Sequence, residues 1–327
     1  MKKALLILLK ALTVNYYFQR KAKNRLLILM FHQVNNNKTL YYPAMSTEAF
    51  RDLCKYIKQH YEVISISKIK EHFSNSSKPA AIISFDDGHY DIMQNAYPIL
   101  SELGLPFNIN IDTEILETGK PQDYVRVYDI LNNSDIDIYQ NPKLFNKKIA
   151  INRQDPMQTE NEFTELLSSL SIKQKRDLTD DLALKAGVDE TTYSKMLSIE
   201  DIKFLNEQGV EFGSHSHTHP ILTEINQEEI YYELKHSKQI LENILNKEIK
   251  TLAYPNGIYN EETERIATET GYSVLLQTND EINKIQTISN RVNSYKRVNQ
   301  YHSNLNEALA HTYGVTKFIN KLKSQSL

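Results

Sequence analysis

The chain has 327 residues, enough for one large α/β domain or two ordinary ones, and its 38 basic and 41 acidic residues give a net charge of −3. Because it has no excess of Lys and Arg to follow a phosphate backbone, the composition argues against nucleic acid as a partner. The single cysteine, Cys54, excludes an intramolecular disulfide and a thiolate zinc cluster, so any metal must be held by nitrogen and oxygen.

The first 23 residues predict a basic amphipathic helix, because lysines and arginines surround leucines and aromatic side chains. The apolar run at residues 4–9 ends at Lys10 and is far shorter than the roughly 20 residues that span a bilayer. No small-residue cleavage site follows, so a cleavable signal peptide is not expected. The helix could lie on an anionic membrane surface or pack on the flank of the domain. We therefore expect a protein that is cytoplasmic or peripheral to the membrane.

Strands and helices alternate along most of the remaining chain. Apolar runs at 26–31, 82–85 and 105–112 predict buried strands, and the apolar periodicity of 47–60 and 90–103 predicts helices. Ser198 and Asn226, each followed three residues later by an acidic residue, predict two N-capped helices. Further strands are expected at 210–212, 249–254 and 272–276, and a final helix at 304–322. This alternation favours an α/β fold with a mostly parallel sheet or barrel.

The strand signal fades between about residue 113 and residue 197, where polar sequence alternates with helical stretches at 160–170 and 172–186. A structureless loop of about 85 residues would be implausible inside a compact domain. We therefore expect a single domain over residues 24–327 with a mostly helical insertion at 113–197 that covers or shapes the functional site.

Two adjacent carboxylates, Asp86 and Asp87, follow the apolar run that ends at Phe85, and Gly88 comes next. They are expected at the carboxyl end of a buried strand, where α/β folds carry their chemistry. Two neighbouring carboxylates disfavour joint ionisation unless a positive group lies beside them, and a divalent metal would supply that charge. Asp-Asp-Gly alone is a weak signal, because such tripeptides are common in turns.

Three histidines at alternate positions, His215, His217 and His219, strengthen the case for a metal site. In an extended segment all three imidazoles would share one face, whereas in a helix His215 and His219 would share a face and His217 would point elsewhere. The spacing does not choose between these alternatives. A carboxylate with two neutral imidazoles leaves coordination open for water, as a hydrolytic metal requires.

Both segments resemble signature motifs of a known family. Ser84-Phe85-Asp86-Asp87-Gly88 and His215-Ser216-His217-Thr218-His219 are similar to those of the polysaccharide deacetylase family (NodB-like, carbohydrate esterase family 4). Leu252-Ala253-Tyr254-Pro255-Asn256-Gly257 resembles the family's groove motif. Leu29-Met30-Phe31-His32-Gln33-Val34 resembles a segment of the circularly permuted branch, whose members include deacetylases of β-1,6-linked N-acetylglucosamine polymers. The resemblance covers most of residues 26–300 apart from the insertion, and it implies a distorted (β/α) barrel.

Carried over by position, the resemblance implies that Asp87, His215 and His219 bind a metal and that Asp86 is the catalytic base. Zinc is the ion that we expect for such a nitrogen and oxygen site. The implied reaction is hydrolysis of an acetyl group by metal-activated water.

The sequence departs from the commonest family pattern at two places. The third motif lacks the arginine that orients the base, and the late histidines, His302 and His311, lie in polar or helical surroundings that do not suit the general acid. In the permuted branch the acid histidine comes first in the chain, which assigns that role to His32. We take Arg291 as the replacement for the orienting arginine, with Arg297 as its rival.

The resemblance implies an N-acetylated polysaccharide or glycan as substrate. Tyr254, Pro255 and Asn256 are expected to bind it with His89, and tyrosines such as Tyr254 would stack on sugars because tryptophan is absent. Two alternatives remain: an O-acetyl esterase on the same fold, and a catalytically idle carbohydrate-binding protein. The presence of base, ligands and a candidate acid argues against the idle protein.

Overall fold

The computed structural model describes residues 23–285 and 292–314. The predicted N-terminal amphipathic helix therefore lies, except for its last residue, outside the described residues. Arg291 and the later part of the predicted C-terminal helix also lie outside them. Within the described ranges, no helix has both the length and the apolar character needed to cross a membrane.

The described strands are, in chain order, β1 (Arg25–Phe31), β2 (Glu62–Val63), β3 (Ala80–Phe85), β4 (Asn108–Ile111), β5 (Ile138–Gln140), β6 (Lys148–Ala150), β7 (Glu211–Ser214), β8 (Thr251–Ala253), β9 (Val274–Thr278), β10 (Asn283–Lys284) and β11 (Asn293–Asn299). The described α-helices are α1 (Thr47–His60), α2 (Ile69–Asn75), α3 (Tyr97–Leu103), α4 (Glu114–Thr118), α5 (Asp123–Asn132), α6 (Pro156–Ser168), α7 (Ile172–Ala186), α8 (Ile199–Glu207), α9 (Gln227–Leu245), α10 (Glu261–Glu269) and α11 (Leu305–Thr312).

Seven parallel strands close into a barrel in the order β1, β3, β4, β7, β8, β9 and β11, and β11 pairs with β1 again. The short β2 extends the sheet beside β3, and β10 lies antiparallel to β1. The predicted (β/α) barrel of the NodB-like type is thereby confirmed. The closed sheet explains the apolar runs, since barrel strands are buried on both faces.

Alternate residues along β1 enter two different apolar clusters. Leu26 and Ile28 pack with Ile82 of β3, whereas Leu27 and Leu29 belong to the larger cluster that includes the flanking helices. This follows from the two-residue period of a strand, which turns successive side chains to opposite faces. Both faces are apolar, so the run shows no polar alternation in the sequence.

The insertion has an apolar cluster of its own, which contains Phe163 of α6, Leu178 and Leu182 of α7 and Tyr139 of β5. It is mostly helical, as expected, and the structure adds the two-stranded antiparallel sheet of β5 and β6. Its last residues return to the carboxylate motif, where the amide of Leu197 donates to the carbonyl of Gly88. The insertion is therefore attached beside the candidate site.

Local signals in the sequence agree with several helix boundaries. Ser198 and Asn226 cap α8 and α9 with the reciprocal side-chain and backbone hydrogen bonds of a capping box. The predicted helix at 90–103 instead begins with a π-helical turn, Ile92–Ala96, before α3. Such turns insert one residue into the hydrogen-bond ladder and often occur near functional sites.

Candidate active site

The carboxylate pair lies at the carboxyl end of β3, where strand geometry gives way to a tight turn. Asp87 has φ 71° and Gly88 has φ 81°. The positive φ of Gly88 favours glycine, and a Cβ there would lie 2.8 Å from Cδ1 of Ile115 and 2.9 Å from Cδ1 of Ile111, so both side chains would have to shift. Because of this left-handed turn, the two adjacent carboxylates point in different directions and contact different residues.

Asp87 meets His215 and His219, which come from the loop after β7. Oδ1 of Asp87 is 3.5 Å from Nε2 of His215 and 3.8 Å from Nε2 of His219. The loop is neither extended nor helical, because Ser216 and His219 adopt left-handed φ values of 71° and 56°. This turn brings the outer two imidazoles together and directs His217 away from them.

The donor set fits a divalent cation. Nδ1 of His215 is 2.8 Å from the carbonyl oxygen of Ala253, so this nitrogen carries the proton and Nε2 keeps its lone pair. Burial and the neighbouring His215 lower the pKa of His219 to about 3, which favours the neutral imidazole that a metal binds. Oδ1 of Asp87 is buried and has no hydrogen-bond donor among the described residues. An ion bound by these three atoms would satisfy it.

The other oxygen of Asp87 is held by two tyrosines. Oδ2 accepts hydrogen bonds from the hydroxyl groups of Tyr124 at 2.6 Å and Tyr42 at 3.0 Å. Burial acts to raise the pKa of Asp87, but the neighbouring imidazoles, with His32 first, hold it well below its usual range. Asp87 is therefore an anion with one oxygen anchored and the other facing the imidazoles.

Asp86 has a separate environment. Its Oδ1 accepts hydrogen bonds from Nη1 of Arg297 and from Nδ2 of Asn110, each at 2.7 Å. Arg297 is fully buried in β11 and Asn110 is fully buried in β4. Burial acts to raise the pKa of Asp86, and the guanidinium of Arg297 with the ring of His215 outweighs it, so that the pKa lies below its usual value. Oδ2 remains directed towards His215, at 3.8 Å from Nε2.

The arginine beside Asp86 is Arg297, the rival in the sequence interpretation, and Arg291 lies outside the described residues. Its guanidinium is aligned by a second hydrogen bond, from Nε to the carbonyl of Gln277 at 3.3 Å. The ion pair with Asp86 spans 211 positions in the chain. Closure of the barrel between β11 and β1 accounts for this contact.

His32 follows β1 directly and reaches the same rim from the other side of Asp86. Phe31 pairs with Phe85 in the register of β1 and β3, and the amide of Asp86 donates to the carbonyl of Phe31 at 2.9 Å. The ring is partly exposed and lies 5.8 Å from the ring of Tyr42, centroid to centroid. The histidine predicted from the N-terminal strand thus lies at the site.

His89 and the third motif are arranged differently from the expectation of an open groove. His89 is buried, with Nε2 3.8 Å from Oδ2 of Asp87, and burial lowers its pKa to about 4. Tyr254 and Pro255 are also buried, and the ring of Tyr254 stacks on Tyr259 at 5.3 Å. The prediction that Tyr254 stacks on a sugar is therefore wrong for this structure. Asn256 is exposed beside the histidine loop.

Two cavities adjoin the site. A small one of about 90 Å³ is lined by His219, Tyr124 and Asn256. A polar one of about 490 Å³ lies on the side of Tyr42 and His89, between the carboxylate motif and the insertion. A cavity of about 600 Å³ lies at the opposite end of the barrel, among the first residues of the strands, and is remote from the carboxylates.

Four side chains of the site carry weak sequence signals or none. Asn110 gives no signal beyond being polar in a buried strand, and Arg297 was identified only as a rival. Tyr42 and Tyr124 reach Asp87 from a loop and from the insertion, so no local spacing predicts them. Tyr42, Asp87 and Asn256 all have left-handed φ values without being glycine, so strained backbone is concentrated at this rim.

The chain is similar to polysaccharide deacetylases in part of its sequence and in its fold. The family model described as polysaccharide deacetylase matches residues 185–275, which include the histidine loop. The resemblance predicted from the sequence motifs is thereby confirmed.

Proteins named as deacetylases are similar to this chain. YxkH of Bacillus subtilis, named as a polysaccharide deacetylase, is 22% identical over 281 residues, which cover 85% of this chain and 73% of YxkH. The deacetylase PplD of Streptococcus pyogenes has a TM-score of 0.59 at 19% identity, covering 89% of this chain and 99% of PplD. A de-N-acetylase of Aggregatibacter actinomycetemcomitans has a TM-score of 0.52 at 16% identity, covering 84% of this chain and 94% of the other. At these identities the two structural comparisons show a shared fold.

Proposed function

We propose that the protein is a metal-dependent deacetylase that hydrolyses the N-acetyl groups of sugars in a polysaccharide or glycan. The observation that carries the proposal is the convergence of Asp87, His215 and His219 on one point, beside a second carboxylate with a different set of partners. Such a division suits one carboxylate to binding a cation and the other to moving a proton.

Asp87, His215 and His219 would hold the cation. Their three donor atoms lie within 4.8 Å of one another, and the mixed nitrogen and oxygen set suits zinc. When bound, the ion would supply Lewis-acid polarisation of water and of the acetyl carbonyl. Tyr42 and Tyr124 orient the carboxylate by holding its other oxygen.

Asp86 is the base in this proposal. Oδ1 is occupied by Arg297 and Asn110, which leaves Oδ2 free to accept a proton from the attacking water. The depressed pKa keeps the carboxylate ionised at neutral pH. The water oxygen bonds to the acetyl carbonyl carbon, the carbon–nitrogen bond breaks, and the products are acetate and a free amine.

His32 is the general acid, which donates a proton to the leaving nitrogen. Its position at the rim, next to Asp86 across the β1–β3 pair, supports this role. Its partial exposure allows it to exchange its proton with solvent between turnovers.

The substrate approaches from the rim. The cavity of about 490 Å³ near His89 is lined mainly by tyrosine and polar side chains, and hydroxyl-rich sugars match such a surface. The de-N-acetylase among the structural neighbours supports an N-acetyl rather than an O-acetyl substrate. Asn256, beside the smaller cavity, provides a further polar contact.

Acetate release and bound metal test the proposal together. The substrates are N-acetylglucosamine oligomers and acetylated xylan, and the proteins are wild type, Asp86→Asn and His215→Ala. We expect release from the oligomers, a loss of about 10²–10⁴-fold in Asp86→Asn with metal retained, and loss of both metal and turnover in His215→Ala.

Each other outcome has a definite meaning. Release from xylan alone would identify an O-acetyl esterase. Tight oligomer binding without any release would identify a carbohydrate-binding protein. An active protein free of metal, or unchanged turnover in Asp86→Asn, would refute the mechanism.

A further inference from the structure

His217, the middle histidine of the cluster, takes no part in the site described above. Its ring is buried outside the convergence of His215 and His219. Its amide donates to Oε2 of Glu233 on α9 at 2.8 Å, and its carbonyl accepts from the amide of Glu114 on α4 at 2.9 Å. The histidine loop therefore joins the first helix of the insertion to a helix that flanks the barrel.

At this junction a second group of metal-binding side chains converges. Glu117 of α4, His217 and His236 of α9 each offer one ligand atom, and these atoms lie within 4.8 Å of one another. The two imidazole rings are 4.6 Å apart at 84°. Within the described ranges, neither imidazole is hydrogen-bonded or ion-paired to the carboxylate of Glu117. The three side chains therefore lie together, although the carboxylate makes no hydrogen bond or ion pair with either imidazole.

The two imidazoles are oriented by groups that leave a nitrogen free. Nδ1 of His217 is 2.9 Å from Oγ1 of Thr113, which directs Nε2 of the ring away from that hydroxyl. The ring of His236 stacks on Tyr232, one helical turn before it, at 4.9 Å and 18°. Metal-binding histidines are typically fixed by such outer contacts.

We propose that Glu117, His217 and His236 form a second divalent-cation site, separate from the catalytic one. Two imidazoles and a carboxylate are a typical zinc donor set, with a fourth position left for water. The bound ion links α4 of the insertion, the histidine loop and α9 of the barrel. Bound there, the ion fixes the insertion, which carries Tyr124, against the loop that carries His215 and His219.

Zinc content and affinity test this site. Wild type, His236→Gln, Glu117→Gln and the control His60→Gln are loaded with Zn²⁺ alone, dialysed, and analysed for metal per chain and for affinity by chelator competition. His60 matches His236 because it also stacks on a tyrosine one turn earlier, Tyr56, at 4.1 Å and 24°. His215→Ala removes the zinc ion of the site formed by Asp87, His215 and His219, so the two sites can be measured separately.

We expect two equivalents in wild type and His60→Gln and one in His236→Gln. Glu117 is exposed, so Glu117→Gln should fold normally and weaken the second equivalent at least about tenfold. The proposal is overturned if neither His236→Gln nor Glu117→Gln changes zinc content or zinc affinity relative to wild type. This holds whatever number of zinc ions wild type binds. The readout is metal rather than acetate, so the result is independent of the deacetylase proposal.

Discussion

Replacement of Arg297 by Met is expected to destabilise the protein. The guanidinium is 2.7 Å from the carboxylate of Asp86, and the two side chains are 0% and 2% exposed. Removal of one partner leaves the other charge buried, which costs about 3–5 kcal/mol. At about 2 °C per kcal/mol for a chain of this size, Tm falls by about 6–10 °C.

Thermal and denaturant unfolding measure this cost. Arg291→Met is the control, because it removes the same charge from the position that the sequence first favoured. Arg297→Met combined with Asp86→Asn should recover part of the lost stability, since the buried carboxylate is then no longer charged. A loss below about 1 kcal/mol in Arg297→Met, the value of an exposed pair, or an equal loss in Arg291→Met, would refute the reasoning.

The pH profile separates a positioning role from a merely structural one. Burial favours the protonated form of Asp86, and Arg297 is the first of the groups that oppose it. In wild type the base therefore stays ionised as the pH falls towards its usual pKa of about 4. In Arg297→Met the pKa rises, so the acid limb of kcat/KM moves to higher pH. An unshifted limb would show that Arg297 only supports the fold.

Three further changes test other parts of the site. His32→Ala should lower turnover by about 10²–10⁴-fold without lowering bound metal, and a loss of metal would instead make His32 a ligand. Tyr124→Phe removes the hydrogen bond to Asp87 and should weaken metal affinity by about 10–100-fold in a competition titration; unchanged affinity would contradict this. Gly88→Ala should cost about 1–3 kcal/mol in denaturant unfolding, because φ is positive and the added methyl contacts Ile115; an unchanged midpoint would count against the turn described.

Local signals in the sequence were sufficient for much of the fold. Two helices follow from neighbouring residues alone. The apolar residues of α1 repeat at helical spacing, and α7 lies between an N-cap at Ser171 and a C-cap at Gly187. The same holds for the apolar runs of β1 and β3. Because parallel strands align their carboxyl ends, the residues that follow them, His32 and the carboxylate pair, could be assigned to one rim.

The parts that could not be predicted depend on side-chain contacts that local sequence patterns do not encode. β11 reads Asn-Ser-Tyr-Lys-Arg-Val-Asn, which is polar, and its buried Arg297 is explained only by Asp86, which directly follows β3. Tyr254 follows a strand like the other rim residues, but packing against Tyr259 buries its ring. The ion pair joins residues 211 positions apart, and the spacing of Tyr254 and Tyr259 does not by itself predict that their rings stack.

The two oxygens of Asp87 bear on the function of the insertion. A carboxylate that binds a cation through one oxygen needs the other oxygen oriented, and here Tyr124 of α5 and Tyr42 supply both donors to Oδ2. Tyr42 is itself fixed from the insertion, since its amide donates to Glu160 of α6 at 2.8 Å. Loss of the insertion would therefore remove the Tyr124 donor to Oδ2 and the contact that fixes Tyr42. The insertion thus completes the proposed metal site by orienting Asp87, whereas Asp86 is held by Asn110 and Arg297 of the barrel.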